Sequence, residues 1–356
     1  MTPATPTPKH LLEAAKAETG TAARLALADW LDAHGREVAD RDRGRLIRLQ
    51  VEMAELADRL GDYRLLTATP RYKQLEGEVA ALLATHRNAW LGPWAEWVPD
   101  PRHLDHCFVR GLLRPWVKGL GWLDRLAADA DAWDWVDGLT LLSLTAADVE
   151  RLAASPVLSV LTVLDFGVDG WGDETAFRDA GLEALVTSPH LNRLHTLILG
   201  DTGVGPAGMR ALAASPLLGR LHTLELQGFD CTTGNSIEDS GARALAEAPA
   251  AAGLTRLLLM TADFADAGAA ALAASPHLAG LTHLELRGNR IGAAGARAVA
   301  ASPHLTRLTY LGLDVWSGHH LPGREPPPSQ PADEAVAALT ARFGAVWRGC
   351  RSPSGG

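Results

Sequence analysis

The chain has 356 residues, 47% hydrophobic and 21% charged, with a formal net charge of −9. That excludes a disordered chain and supplies a sizeable core, while the acidic balance gives no net pull towards nucleic acid or an anionic membrane surface. No apolar run is long enough to span a bilayer, the first ten residues lack the apolar stretch of an export signal, and Cys107, Cys231 and Cys350 are odd in number and far apart; the expectation is a reducing compartment, a cytoplasmic protein and protein partners.

Residues 1–91 predict a small all-α domain. Its helices are KHLLEAAKAE, TAARLALADWLDAHG with Thr21 as N-cap and Gly35 as stop, RLIRLQVEMAELADRL, and RYKQLEGEVAALLATHRNAWLG. In the second, Ala22, Leu25, Ala28 and Leu31 share one side, and Arg24, Asp29, Asp32 and Arg36 the other. Arg41, Arg43, Arg45 and Arg48 alternate with Asp40 and Asp42, which predicts a solvated helix face rather than a nucleic-acid stripe. ADWLDAHG (Ala28–Gly35) and IRLQ (Ile47–Gln50) resemble a bacterial repeat-companion domain, a short helical module found ahead of leucine-rich repeats. The resemblance implies an architecture and no biochemical activity.

Residues 92–138 are tryptophan-rich, with Trp94, Trp97, Trp116, Trp122, Trp133 and Trp135 following Trp90. Large flat side chains suit the N-terminal cap that a repeat stack needs over its apolar end; an aromatic ligand pocket is the other reading. His103, His106 and Cys107 invite a metal, but no second ligand cluster completes a tetrahedral site. Phosphate-binding loops and hydrolase nucleophile elbows are absent, so neither cofactor, metal, catalytic residue nor small-molecule substrate is expected.

From residue 139 to 316 the pattern L-x-x-L-x-L recurs, starting at Leu139, Leu161, Leu194, Leu221, Leu254, Leu281 and Leu308 with spacings of 22, 33, 27, 33, 27 and 27. Gly208, Gly268 and Gly295 follow fourteen residues after their unit's first leucine, and Ser215-Pro216, Ser275-Pro276 and Ser302-Pro303 stop the Ala-rich helices. In the 33-residue units Gly181 and Gly241 are displaced by six, placing an insertion between strand and helix. Each unit predicts a strand, a turn and a small-residue helix, stacked as a curved α/β solenoid with its parallel strands on the concave face. LTHLELRGNRIGAAGARAVAASPHL resembles a leucine-rich repeat of the ribonuclease-inhibitor type, a class implying a protein-binding scaffold. The asparagine that ends the strand motif is present at Asn289, with Asp169, Thr202, Phe229, Ala262 and Trp316 at the matching places.

A Pro-rich connector at 317–332 leads to a capping helix and tail at 333–356, the helix running over 333–347 with Ala335, Leu339 and Phe343 on one face.

Strand alternation points three columns of residues into the concavity, beginning with Val163, Asp165 and Gly167. Charged and aromatic residues gather towards the C-terminal strands, so the candidate binding face is Glu225, Gln227, Arg256, Met260, His283, Glu285, Arg287, Tyr310 and Asp314. Six strands offer about 300 Å² of projected face against about 800 Å² per partner in a standard interface, so the insertions are expected to add a rim. That rim carries Trp171, Asp173 and Glu174 in one insertion and Phe229, Asp230 and Glu238 in the other. The sequence thus predicts a non-enzymatic interaction scaffold; the alternative is a regulator of a nucleotide-hydrolysing enzyme, which would use Arg256, Arg287 or Arg290 on a partner's phosphates.

Overall fold

A computed structural model of the chain describes residues 9–17, 21–35, 37–60, 63–98, 104–167, 177–227, 234–315 and 332–348. These form an α/β fold in which a helical region precedes a parallel sheet with alternating helices. Two compact units divide the chain: residues 1–141 with 160–162, and residues 142–159 with 163–356.

The first unit contains α1 (Lys9–Ala17), α2 (Ala22–His34), α3 (Val38–Leu60), α4 (Tyr63–Ala68) and α5 (Pro70–Leu91). The hairpin β1 (Phe108–Val109) and β2 (Leu112–Leu113) follows, then β3 (Trp116–Lys118), α6 (Leu123–Leu126) and all but the last residue of β4 (Gly138–Leu142). On α2 the buried stripe is Arg24, Leu27, Ala28 and Leu31, so Arg24 lies inside and Ala22 outside, the reverse of the expectation from the sequence. Thr21 precedes the helix without a side-chain cap bond, and the Gly35 N–H closes it on the Leu31 carbonyl.

Trp94, Trp122 and Trp133 form one aromatic cluster with ring centroids 4.9–6.0 Å apart. Each indole N–H is satisfied by a carbonyl, of Ala132, Gly119 and Leu126 respectively, as buried indoles require. Arg43, predicted on a solvated face, is buried with its guanidinium 3.6 Å from the Trp135 ring centroid and donates to the Gly111 carbonyl. Burial lowers its pKa to about 9.

In the second unit, helix and strand alternate as α7 (Ala146–Ala153), β5 (Val163–Gly167), α8 (Arg178–Val186), β6 (Thr196–Gly200), α9 (Pro206–Ala214), β7 (Thr223–Gln227), α10 (Glu238–Glu247), β8 (Arg256–Met260), α11 (Asp266–Ala274), β9 (His283–Glu285), α12 (Ala293–Ala300), β10 (Tyr310–Gly312), α13 (Ala332–Phe343) and β11 (Trp347–Arg348). Strands β5 to β11 pair in chain order, all parallel and in register, so that Leu164, Leu197, Leu224, Leu257, Leu284 and Leu311 make one continuous column. Every leucine of the repeat pattern, and Phe166, is buried; Leu308, the most accessible, is 9% exposed. The capping helix ends earlier than predicted: Gly344 turns the chain at φ 51° and Trp347 joins the sheet beside Leu311, its indole donating to the Leu313 carbonyl.

Polar ladders close the ends of the turns. Asn289 Nδ2 donates to the Leu259 and Leu286 carbonyls while its Oδ1 accepts the Ala262 N–H. Asn235 repeats this on Leu199, Gln227 and Val204, which corrects the assignment of Phe229 to this position: the six-residue insertion precedes the asparagine. Carboxylates tie helix to helix, Asp239 accepting from Ala265 and Gly268 N–H and Asp266 from Gly292 and Gly295 N–H. A Cβ at Gly268 or Gly295 would lie 2.8 or 2.6 Å from that carboxylate, which is the physical reason for the glycine period. The serines before proline do the same at the other helix end: Ser188, Ser215, Ser275 and Ser302 hydroxyls donate to the carbonyls of Ala153, Val186, Ala246 and Ala273. The equivalent place after α10 is the buried Ala248. Restoring a hydroxyl there with Ala248→Ser should raise stability by about 0.5–1.5 kcal/mol, and Ser302→Ala, which orphans a carbonyl, should lower it by about 1–3 kcal/mol; urea unfolding midpoints check both.

Candidate functional site

With the leucines turned inward, the alternate residues of β5 to β10 form the outer face of the sheet. All are half-buried except Val163, Glu285 and Gly312, which are buried. The face divides into two regions of different chemistry.

On β9 and β10 the polar groups satisfy one another. Arg287 Nε lies 2.9 and 3.0 Å from the two Glu285 oxygens, the Arg287 N–H donates to the same carboxylate, and the Tyr310 hydroxyl donates to it at 2.7 Å. The His283 ring stacks on Tyr310 with centroids 5.9 Å apart. The carboxylate lies directly over Gly312, where any Cβ would overlap it. Its hydrogen bond holds the Arg287 guanidinium above the ordinary arginine range, and burial followed by the Glu285 contact pushes the Tyr310 hydroxyl up to about 12. This end of the face is a neutral, locked cluster.

On β5 to β8 the groups stand apart. Glu225 lies in one row between Ile198 and Leu258, with Asp165 two strands away beyond Ile198. Neither Glu225 nor Arg256 makes a hydrogen bond or ion pair among the described residues. Burial, aided by the Asp165 charge and opposed by Arg256, raises the Glu225 carboxyl to about 7. Gln227 and Met260 complete the patch as half-buried neighbours. Ile198 and Leu258, which flank Glu225 on this face, were not among the residues singled out by charge; the register of the row was the signal that could have found them.

The rim is described in part. Glu238 is exposed at the head of α10 with φ 57°, whereas Trp171, Asp173, Glu174, Phe229 and Asp230 lie outside the described residues. Asp314 is half-buried beyond β10. Of the two further arginines considered for phosphate contact, Arg287 is held as above and Arg290 pairs with Asp263 at 2.8 Å.

Of the three residues that invited a metal in the tryptophan-rich segment, His106 and Cys107 are among the described residues. Cys107 is buried and its thiol is pushed up to about 11 by burial, while the neighbouring His106 is exposed and stacks on Trp116; His103 lies outside the described residues. No group of three or more potential ligands is present among the described residues, and no described helix is long and apolar enough to cross a membrane.

Residues 279–300 match the family model of the Leucine Rich repeat. The matched stretch carries the whole of β9 and α12, so it is one turn of the stack, and it includes His283, Glu285 and Arg287 of the locked cluster. No curated protein matches the chain, and no catalytic family is identified. Leucine-rich repeat proteins typically mediate protein binding.

Glu225 gives a pH test of the site. Its folded-state pKa lies above its ordinary value of 4.5, so its contribution to stability is fully present below that value and is lost as pH climbs through 7. Glu225→Gln should match the parent near pH 4.5 and exceed it by roughly 1–3 kcal/mol at pH 8, measured by urea unfolding across that range.

Proposed function

We propose that the chain is a non-enzymatic protein-interaction scaffold that receives its partner on the outer strand face, with the two insertions extending the contact. The observation that carries this reading is the patch on β6 to β8, where Glu225 and Arg256 are half-buried without a bonded partner among the described residues, amid Ile198, Leu258 and Met260. Half-buried charges beside apolar side chains gain most when a second surface completes their solvation shell. The sheet face is about 300 Å² in projection, against about 800 Å² for one side of a standard interface, and this shortfall supports a contribution from the rim. In this reading residues 1–91 act as a repeat-companion-like module with its own contacts, and the segments 92–138 and 333–356 close the two ends of the repeats.

The enzyme-regulator alternative needs an arginine free to reach phosphate, and Arg287 and Arg290 are already held by Glu285 and Asp263. Arg256 is left to carry it.

Affinity capture with the full chain tests the scaffold. A protein retained by the parent should be lost at least tenfold with Arg256→Ala/Met260→Ala, and weakened by deletion of 168–173 or 228–233, with unfolding midpoints little changed. Retention unaltered by all of these changes overturns the reading, and a captured nucleotide hydrolase whose turnover rises with the chain added would favour the regulator.

A further inference from the structure

We propose that the cavity between the C-terminal ends of α8 and α9 is a second binding site, which receives from a protein partner an arginine side chain together with an apolar residue beside it. The site lies at the helix ends away from the insertions and is independent of the strand-face reading.

The cavity follows from the sequence of one loop. After α7, α9, α10 and α11 the chain winds a 3₁₀ turn, at Pro156–Val160, Leu218–Arg220, Pro249–Gly253 and Pro276–Leu278, and the last three pack on one another along the edge of the stack. Four residues after the start of these loops stand the small Ser159, Gly219, Ala252 and Ala279. A Cβ on Gly219 would already touch Ala250 of the neighbouring turn at 3.9 Å, so the packed edge favours small side chains. The loops after α8 and α12 hold the larger Asn192 and Thr306 at this place; both loops are described throughout, and neither winds a 3₁₀ turn. After α8 the space left is a cavity of about 630 Å³, walled by Val186, Pro189 and Leu191 on one side and Ala211 and Ala214 on the other.

The gap after α12 shows what enters such a place. There Arg342, near the end of α13, donates to the Ser302 carbonyl at 3.1 Å, and its guanidinium lies 5.9 Å from the Phe343 ring centroid. Arg342 follows the buried Leu339 by three residues, as Ser215 follows the buried Leu212. The short Ser215 hydroxyl goes instead to the Val186 carbonyl, and the cavity stays open. Ser188, the counterpart of Ser302, lines it, and a carbonyl oxygen has lone pairs for two donors. Net charge does not choose the occupant, because Glu183 and Arg220 of the lining are both exposed and opposite in sign. The acceptors choose it: the carbonyls that end α8 and α9 carry partial negative charge, which disfavours a carboxylate and favours a cationic donor. A guanidinium also suits the walls, since its stem packs on apolar surface and its head is weakly hydrated. The volume lies within the range of about 300–1,000 Å³ usual for ligand sites and exceeds one side chain, so an apolar neighbour enters too, as Phe343 accompanies Arg342.

Benzylguanidine joins the two groups in one small molecule and is the probe, titrated into isotope-labelled full-length chain beside benzylamine and benzylurea and followed by amide chemical shifts. It should bind with a dissociation constant of about 1 mM and move the amides of residues 186–192 and 211–220, which border the cavity. The amine and the neutral urea should bind at least about tenfold more weakly. His190→Leu/Asn192→Gly converts residues 188–193 to SPLLGR, the sequence at 215–220; it should wind the missing turn, close the cavity and abolish the shifts, with an unfolding midpoint no lower than the parent's. Ala214→Trp, at an exposed position, should fill the cavity and weaken binding at least about tenfold with an unchanged circular dichroism spectrum. Equal affinity for the three compounds overturns the guanidinium preference. Absence of binding, shifts confined to other residues, or binding unaltered by both variants overturns the site. Leu258→Ala on β8 should leave the titration unchanged, so failure here is distinct from failure of the strand face.

Discussion

A single turn of this stack cannot shelter its own leucines. Leu194, Leu197 and Leu199 become inaccessible because the turns on both sides cover them, and the same holds from there to Leu286. Burying one such side chain contributes about 1.5–3 kcal/mol, and ordering the backbone costs about 1–2 kcal/mol per residue, so an isolated turn of this length has no net stability. Contact between neighbours is therefore the condition for every other feature. It also explains where insertions are tolerated: the two lie beyond the strand ends, and the column Leu164, Leu197, Leu224, Leu257 passes both without a shift of register.

Stacking creates a second requirement, because the backbone at strand ends and helix ends is also taken from water. Asn235 and Asn289 answer it at every second turn, each reaching back to the carbonyl of the preceding strand, with the small Thr202 and Ala262 buried at the places between. Aspartates serve the helix N-termini, where a carboxylate also complements the helix dipole. Serines serve the helix C-termini. The glycine, serine and asparagine periods are thus consequences of the leucine period, each set by a buried backbone group of the adjacent turn.

The leucine columns were legible in the sequence because their spacing is rigid and their burial leaves no choice of side. What depended on register across strands was not. Asn235 was hidden by assuming that the insertion follows the asparagine. Trp347 looked helical because DEAVAALTARFGAVW has no proline; only the left-handed Gly344 and the pairing with Leu311 place it in the sheet. Arg43 reads as a surface charge in a run of alternating signs, and its burial against Trp135 depends on a residue 92 positions away. In the candidate face, residue types were readable column by column, but whether a charge was already engaged was not, since that is decided by side chains on the next strand.

Glu225 and Glu285 make that last point sharply, for they occupy the same row two strands apart. Around Glu285 the neighbours are Arg287 two residues on, Tyr310 on the next strand and Gly312 opposite; around Glu225 the corresponding places hold Gln227, Arg256 and Leu258. Gly312 lets the Glu285 carboxylate fold flat onto the sheet, where Arg287 and Tyr310 bind it. Leu258 fills the equivalent space beside Glu225, and Gln227 brings no charge to replace Arg287. The same strand geometry therefore yields one carboxylate whose hydrogen bonds are complete and another that is half-buried and makes none among the described residues. A group of the second kind is a standing cost to the folded chain, and a surface that completes its hydrogen bonds relieves that cost.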